Sequence, residues 1–331
     1  MRSTSILLLL GCASASPPAR PTAVVQPAVS EAVCTRPLTL ASLDRSDIDR
    51  LAIRTESGSV ELRRQDETWS IVSPLVAQPD AAAVQTAIAK LAEWEVRGVI
   101  ATAPEDHQRL GVGADATHVT VGAAGCSLEF AIGGYEAGAT AVRVIPGNEV
   151  VGIEGAIRFA FNKPLRDWRE RRVVDVDPSE LRALRFGPNV AFERRDGSWV
   201  PIGDAGAGPF DWVEHTARSL ARMRAVDFAA PDIDEQAAGL LNPTATVVIE
   251  FASQAVTLER GATLSDGSVY LRRTGRDLIY VVSPYLAARM EPGAPDPASP
   301  STTPSENQNI PPELMQRVRE QLEAQQGRAT D

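Results

Sequence analysis

The chain is poor in the residues that carry most side-chain chemistry. It has three histidines (His107, His118 and His215) and three cysteines (Cys12, Cys34 and Cys126) in 331 residues. No spacing among them suits a zinc site. None of the histidines lies near a serine or cysteine motif, so each reads as solvent-facing or structural rather than catalytic. His107 falls in a polar loop, His118 opens a strand and His215 lies on a helix. No G-x-S-x-G, H-E-x-x-H or P-loop pattern occurs. "GVGADA" at Gly111 precedes a strand rather than a helix, which excludes a dinucleotide fingerprint. There is no D-x-D-x-D calcium loop. The nearest acidic run, "PDIDEQ" at 231–236, reads as a helix N-cap with acids in its first turn. These absences point away from an enzyme, a cofactor and a resident metal. Basic excess is lacking too: the formal net charge is −10, a surface that repels nucleic acid and anionic lipid head groups.

The only dense apolar run is short. "SILLLLGCAS", residues 5–14, holds five apolar residues from Ile6 to Leu10, far below the roughly 20 that span a bilayer. Leu9-Leu10-Gly11-Cys12 instead resembles a bacterial lipobox. Arg2 supplies the positive start, and residues 1–11 read as a signal peptide. Cleavage before Cys12 and acylation of its thiol would then anchor the chain to a membrane. Ala13 occupies the place where an aspartate would resemble an inner-membrane retention signal. The expectation is a lipoprotein facing the periplasm, on an outer membrane if one exists. If Cys12 is acylated, Cys34 and Cys126 remain; outside the cytoplasm they either pair or stay free.

Residues 12–45 are rich in Ala, Pro and Ser and read as a tether with a reach of roughly 30 Å. An internal repeat follows. "LAIRTESGSVELRRQDETWSIVSP" from Leu51 matches "LRALRFGPNVAFERRDGSWVPIGD" from Leu181, with Val60 opposite Val190, Leu62 opposite Phe192 and Trp69 opposite Trp199. Both stretches alternate apolar and polar residues, the period of half-buried strands, with turns at "QDET" and "RDGS". A helix follows in each, with Asp80 and Asp211 as expected N-caps. Val84, Ile88 and Leu91 form one apolar stripe, and Val213, Leu220 and Met223 the other. A loop ("HQRLGV", "AGLLNP") and further strands complete each unit, with Arg143 and Arg272 in equivalent places. The expected fold is α+β: two tandem repeats of antiparallel sheet with about one main helix each, at 46–156 and 179–290. Residues 291–331 read as a disordered tail ending in a short helix from Pro312, with Leu314, Met315, Val318 and Leu322 on one stripe.

Between the units, residues 157–178 break the acidic trend. Arg158, Lys163, Arg166, Arg169, Arg171 and Arg172 stand against Asp167 and Glu170, a local charge of +4. Two readings are open: an internal clasp pairing these arginines with acids of both units, or an exposed site for an acidic partner or anionic envelope polymer. Trp168 reads as core rather than as a ligand platform.

The hairpin "VELRRQDETWSIVSP", the "RLGV" loop and above all "PLRDWRERRVVDVDPSELRALRF" resemble a bacterial family known as domain of unknown function 4340, over roughly residues 50–280. That resemblance implies no known enzymatic activity. It implies companionship with gliding-type ABC transporter components in the envelope. The lipobox departs from the transmembrane helix of many relatives, and an outer-membrane lipoprotein would have to span the gap to an inner-membrane transporter. The expected function is a non-catalytic, lipid-anchored envelope scaffold or binding protein with an envelope protein partner. An accessory transporter subunit is the alternative, and an envelope hydrolase stands third.

Overall fold

The computed structural model describes Cys34 and residues 38–40, 43–203 and 210–293. Cys12, the tether before Cys34 and the C-terminal stripe lie outside the described residues. The first unit runs β1 (Ile48–Thr55), β2 (Gly58–Gln65), β3 (Thr68–Ser73), α1 (Ala81–Ala92), β4 (Val96–Ala101), α2 (Asp106–Arg109), β5 (Thr117–Ala123), β6 (Cys126–Glu136), β7 (Ala139–Ile145) and β8 (Val150–Glu154). The connector holds α3 (Leu165–Trp168). The second unit runs β9 (Leu181–Phe186), β10 (Val190–Arg195), β11 (Ser198–Ile202), α4 (Asp211–Ala221), β12 (Asp227–Phe228), β13 (Ala245–Phe251), β14 (Ala255–Thr263), β15 (Val269–Arg273), β16 (Ile279–Val282) and α5 (Pro284–Ala288).

Each unit is one eight-stranded antiparallel sheet. The orders are β3-β2-β1-β5-β6-β7-β8-β4 and β11-β10-β9-β13-β14-β15-β16-β12. The second order is the first repeated strand for strand, so the fold is α+β with a duplicated layout. Alternation decides which side faces in: Val60 and Leu62 are buried on β2 while Glu61 and Arg63 point outward. The β2–β3 turn places Asp66 and Glu67 at φ of 46° and 66°. The β10–β11 turn places Asp196 and Gly197 at 50° and 81°. Two successive left-handed residues suit the twist of a two-residue hairpin.

Pairing registers refine the repeat. Leu62 faces Ile71 and Phe192 faces Pro201, so the offset of 130 holds on β2 and β3, and Trp69 and Trp199 sit at equivalent places. On the first strand it does not hold. Leu51 pairs with Leu62, but Leu184, not Leu181, pairs with Phe192. The partner of Leu51 is therefore Leu184, because the β9–β10 hairpin is three residues shorter than β1–β2. Arg143 opposite Ala131 and Arg272 opposite Glu259 occupy matching ladder places.

The helices differ at their starts. Asp80 caps α1, its carboxylate accepting from the Ala83 amide at 3.1 Å. Asp211 is no cap: it is the first helical residue of α4, and Phe210 holds the cap position. The Phe210 ring is needed there, packed edge-on against Phe192 at 5.1 Å. Met223 lies beyond α4, yet it is fully buried with Val213 and Leu220. "PDIDEQ" forms turns rather than a helix start. Asp234 caps a tight turn by accepting from the Ala237 amide at 2.8 Å.

That turn belongs to a latch found in both units. Gly111 and Gly239 take φ of 68° and 71°. The preceding carbonyls, of Leu110 and Ala238, accept from Gly134 and Ala262 at 2.9 and 2.8 Å. The adjoining strand residue is glycine both times, Gly133 on β6 and Gly261 on β14. A Cβ at either would collide with that same carbonyl oxygen. The latch ties the loop after the helix onto the longest strand of each sheet.

Candidate functional site

The connector passes from one core to the other within five residues. Trp168 is fully buried in the first core beside Phe161, and Val173 and Val174 in the second. The Trp168 carbonyl accepts from the Asp80 amide at 2.8 Å, and the Glu170 amide donates to Gln78 at 2.9 Å. On the other side the Arg171 carbonyl accepts from Ala225 at 2.8 Å. The Val173 amide donates to Met223 at 2.9 Å, and that of Val176 to Ala221 at 3.0 Å. Residues 168–176 are thus hydrogen-bonded backbone to backbone with both units. Asp80 closes the join: its carboxylate also receives Arg224 of the second unit at 3.0 Å. One side chain therefore caps α1 and bonds across the units.

The arginines divide by burial. Arg169 is 9% exposed and its guanidinium lies 3.4 Å above the Phe228 ring. Burial pushes its pKa down from the ordinary value, against the opposing charge of Asp227. Lys163 lies 5.0 Å over Trp168, and burial lowers its pKa likewise. Arg171 pairs with Asp167 at 3.1 Å, and Arg172 with Glu170 and with Asp175 at 2.9 Å. Arg166 reaches Asp227 at only 3.4 Å and is half exposed. Arg158 sits on the turn Arg158–Ala160, its carbonyl accepting from Phe161. Burial raises the Glu170 carboxyl, but hydrogen bonds from the Arg172 side chain and amide outweigh it and hold it below its ordinary range. Asp80 follows the same course: burial raises it, and the Ala83 amide and Arg224 bring it lower. From outside the 158–172 run, Asp227 faces Arg166 and Asp175 faces Arg172, while Asp80 faces Arg224 of the second unit.

A groove of 670 Å³ opens beside this join. Arg166, Arg171 and Arg224 line it, and each already faces an aspartate: Asp227, Asp167 and Asp80. Ser268 on its wall hydrogen-bonds Asp266, not a histidine, at 3.1 Å. The groove is lined by charged and apolar side chains together, Asp227 and Arg224 beside Phe228 and Val226.

The histidines are apart from one another. His107 is not in a polar loop: it lies on α2, buried, with Nε2 2.9 Å from the Asn148 carbonyl. His118 on β5 has Nδ1 3.6 Å from Glu129. His215 on α4 meets the Tyr285 hydroxyl at 2.8 Å. Cys34 and Cys126 form a disulfide, closing a sequence separation of 92 residues. Among the described residues there is no cluster of His, Cys, Asp and Glu fit to hold a metal, and no helix long and apolar enough to cross a membrane. Sequence reasoning missed the bond between Asp80 and Arg224 and the stacking of Arg169 on Phe228. Both join positions more than fifty residues apart, and no local pattern signals them.

A family model described as domain of unknown function (DUF4340) matches residues 69–243, more than half of the chain. No curated protein and no solved structure matches it. The matched stretch begins at Trp69 on β3, takes in the latch of the first unit and the whole connector, and ends after the turn at Gly239. The chain belongs to the family of the domain of unknown function DUF4340.

Proposed function

We propose that this chain is a lipid-anchored cell-envelope protein that works as a scaffold or binding module and not as a catalyst. The observation that carries the reading is the Cys34–Cys126 disulfide. Disulfides persist in oxidising compartments and are rare in the cytosol, so it agrees with export through the signal that ends at Cys12. The bond also fixes where the tether from Cys12 meets the folded body, at the turn between β5 and β6. A scaffold of this kind needs a rigid body, and the connector's hydrogen bonds to both units support that reading.

Palmitate labelling tests the anchor: label and membrane association are expected to be lost in Cys12→Ser, and label retained in that variant overturns it. Affinity capture from membranes with mass spectrometry tests the role. Envelope proteins without transporter components support a scaffold. A co-purifying ABC transporter replaces that reading with an accessory subunit.

A further inference from the structure

The duplicated sheets allow a place-by-place comparison of the seam beneath the connector. Val99 pairs with Val151 as Phe228 pairs with Tyr280, and Arg143 pairs with Val150 as Arg272 pairs with Ile279. The ladder places of Val99, Val144 and Val151 in the first unit are therefore held by Phe228, Arg273 and Tyr280 in the second. Val144 and Val151 pack on the first core. The copy replaces them with a guanidinium and a phenol.

These side chains converge. Leu271 pairs with Tyr280, and Arg273 lies two residues on, so Arg273 and Tyr280 are diagonal neighbours on one face of the sheet, within reach of long side chains. The Arg273 Nη1 donates to the Val173 carbonyl of the connector at 2.6 Å. On the other side of Tyr280 lies the Phe228 ring, 5.7 Å away, with the Arg169 guanidinium above it. Arg276, on the exposed turn between β15 and β16, completes the group, its amide donating to the Arg273 carbonyl at 3.1 Å.

The group lacks counter-ions. Among the described residues Arg272, on the opposite face, pairs with Glu235 and Glu259 at 2.6 Å, whereas Arg169, Arg273 and Arg276 pair with no carboxylate. The Arg169 Nε is buried without a hydrogen-bond partner. Two acids face the group from nearby, and both are engaged by other arginines: Asp227 by Arg166 and Glu170 by Arg172. Burial pushes the Arg273 guanidinium down from its ordinary pKa, and the charge of Arg276 pushes the same way. Cations held out of water without a partner are costly, and charge-assisted hydrogen bonds to an oxyanion offset that cost. Three guanidiniums exceed what one carboxylate can answer. A phosphate group brings a charge of about −1.5 to −2 and three strong acceptor oxygens.

We infer that Arg169, Arg273, Arg276 and the Tyr280 hydroxyl form a phosphate-binding site at the seam between the connector and the second sheet. Arg276 and Arg273 stand on its solvent side, with the buried Arg169 and Tyr280 behind them. The phosphate is either free or a phosphoryl ester on a larger molecule. The site goes beyond the scaffold reading and does not rest on the anchor, so its failure leaves that reading standing.

The test is calorimetric titration of the purified full chain, at fixed ionic strength, with inorganic phosphate, glycerol 3-phosphate and acetate. Saturable binding of phosphate is expected. Arg273→Gln should weaken it at least about tenfold, the worth of a hydrogen bond to a charged group. Arg272→Gln, next in sequence but on the opposite face, should leave it within about twofold. Arg276→Gln, on the exposed turn, replaces the first variant if that one does not melt cooperatively. Tighter binding of the ester than of free phosphate supports the site and assigns it a carried phosphoryl group; the reverse order supports it and assigns free phosphate. No saturable binding of either, acetate binding as tightly as phosphate, or an equal loss in Arg272→Gln overturns the proposal.

Discussion

Replacing Cys34 by serine removes the one covalent tie between the entering chain and the first sheet. The bond closes a separation of 92 residues. In the chain-entropy description, cross-linking a loop of that size lowers the entropy of the unfolded chain by about 15.6 cal/mol/K, or about 4.6 kcal/mol at 25 °C. The structure supports reading the whole effect through the unfolded state. Cys34 is exposed, so the serine buries no hydroxyl. The freed Cys126 is 7% exposed and behaves as a small apolar side chain. Leu38, Leu40 and Leu43 pack on the first core and stay available to dock without the bond. Guanidinium unfolding of the oxidised protein and of Cys34→Ser should give free energies that differ by about 4–5 kcal/mol. Reductant should bring the natural protein to the level of the variant and leave the variant unchanged. A difference below about 1 kcal/mol would refute the reasoning, as would equal sensitivity of both proteins to reductant.

Gly133→Ala and Gly261→Ala should each cost about 2–4 kcal/mol, from overpacking and loss of the latch hydrogen bond, as read by chemical denaturation. Loss at one position only would show that the latch is not shared. Arg169→Ala should cost about 2–3 kcal/mol, from its desolvated stacking on Phe228, while the exposed Arg166→Ala should cost under about 1 kcal/mol; thermal melting of the pair checks the order. Asp80 and Glu170 have carboxyls held below their ordinary range. Their contribution is therefore complete above the unfolded carboxylate pKa of about 4 and is lost as pH falls below it. Asp80→Asn should flatten the acid side of the stability–pH curve, and an unchanged curve would show that this carboxylate carries none of it.

Much of the sheet was legible because alternation is a local signal. β2, β5, β13 and β14 lie largely where apolar and polar residues take turns, whereas β6 has a continuous buried run from Phe130 to Gly133. The edge strands β4 and β12 were not legible. β4 has exposed Val96, Val99 and Ile100, so it lacks the alternation that burial on one face imposes. β12 is two residues long. The matched tryptophans gave the right offset for β2 and β3, but nothing in composition reveals that one hairpin is three residues shorter. Asp211 had the residue type of a cap, and an aromatic contact outweighed it. His107 looked polar by its neighbours, while its burial follows from the latch that folds α2 onto β6. In the connector, residue types made both a clasp and a binding site chemically reasonable. The distances show which acids lie near: Asp227 faces Arg166 from the second unit, whereas Glu170 and Asp175, both in the connector, face Arg172. The cysteine pair was open for the same reason, since only the folded turn at Ala124 and Gly125 brings Cys126 to Cys34.

Calorimetric unfolding of the full chain tests most directly whether the connector makes one body of the two repeat units. Backbone bonds from residues 168–176 to both units, together with the bond between Asp80 and Arg224, couple the two cores. The coupling predicts a single transition in which the calorimetric and van't Hoff enthalpies agree. Two resolved transitions, each unaffected by Arg169→Ala, would contradict it.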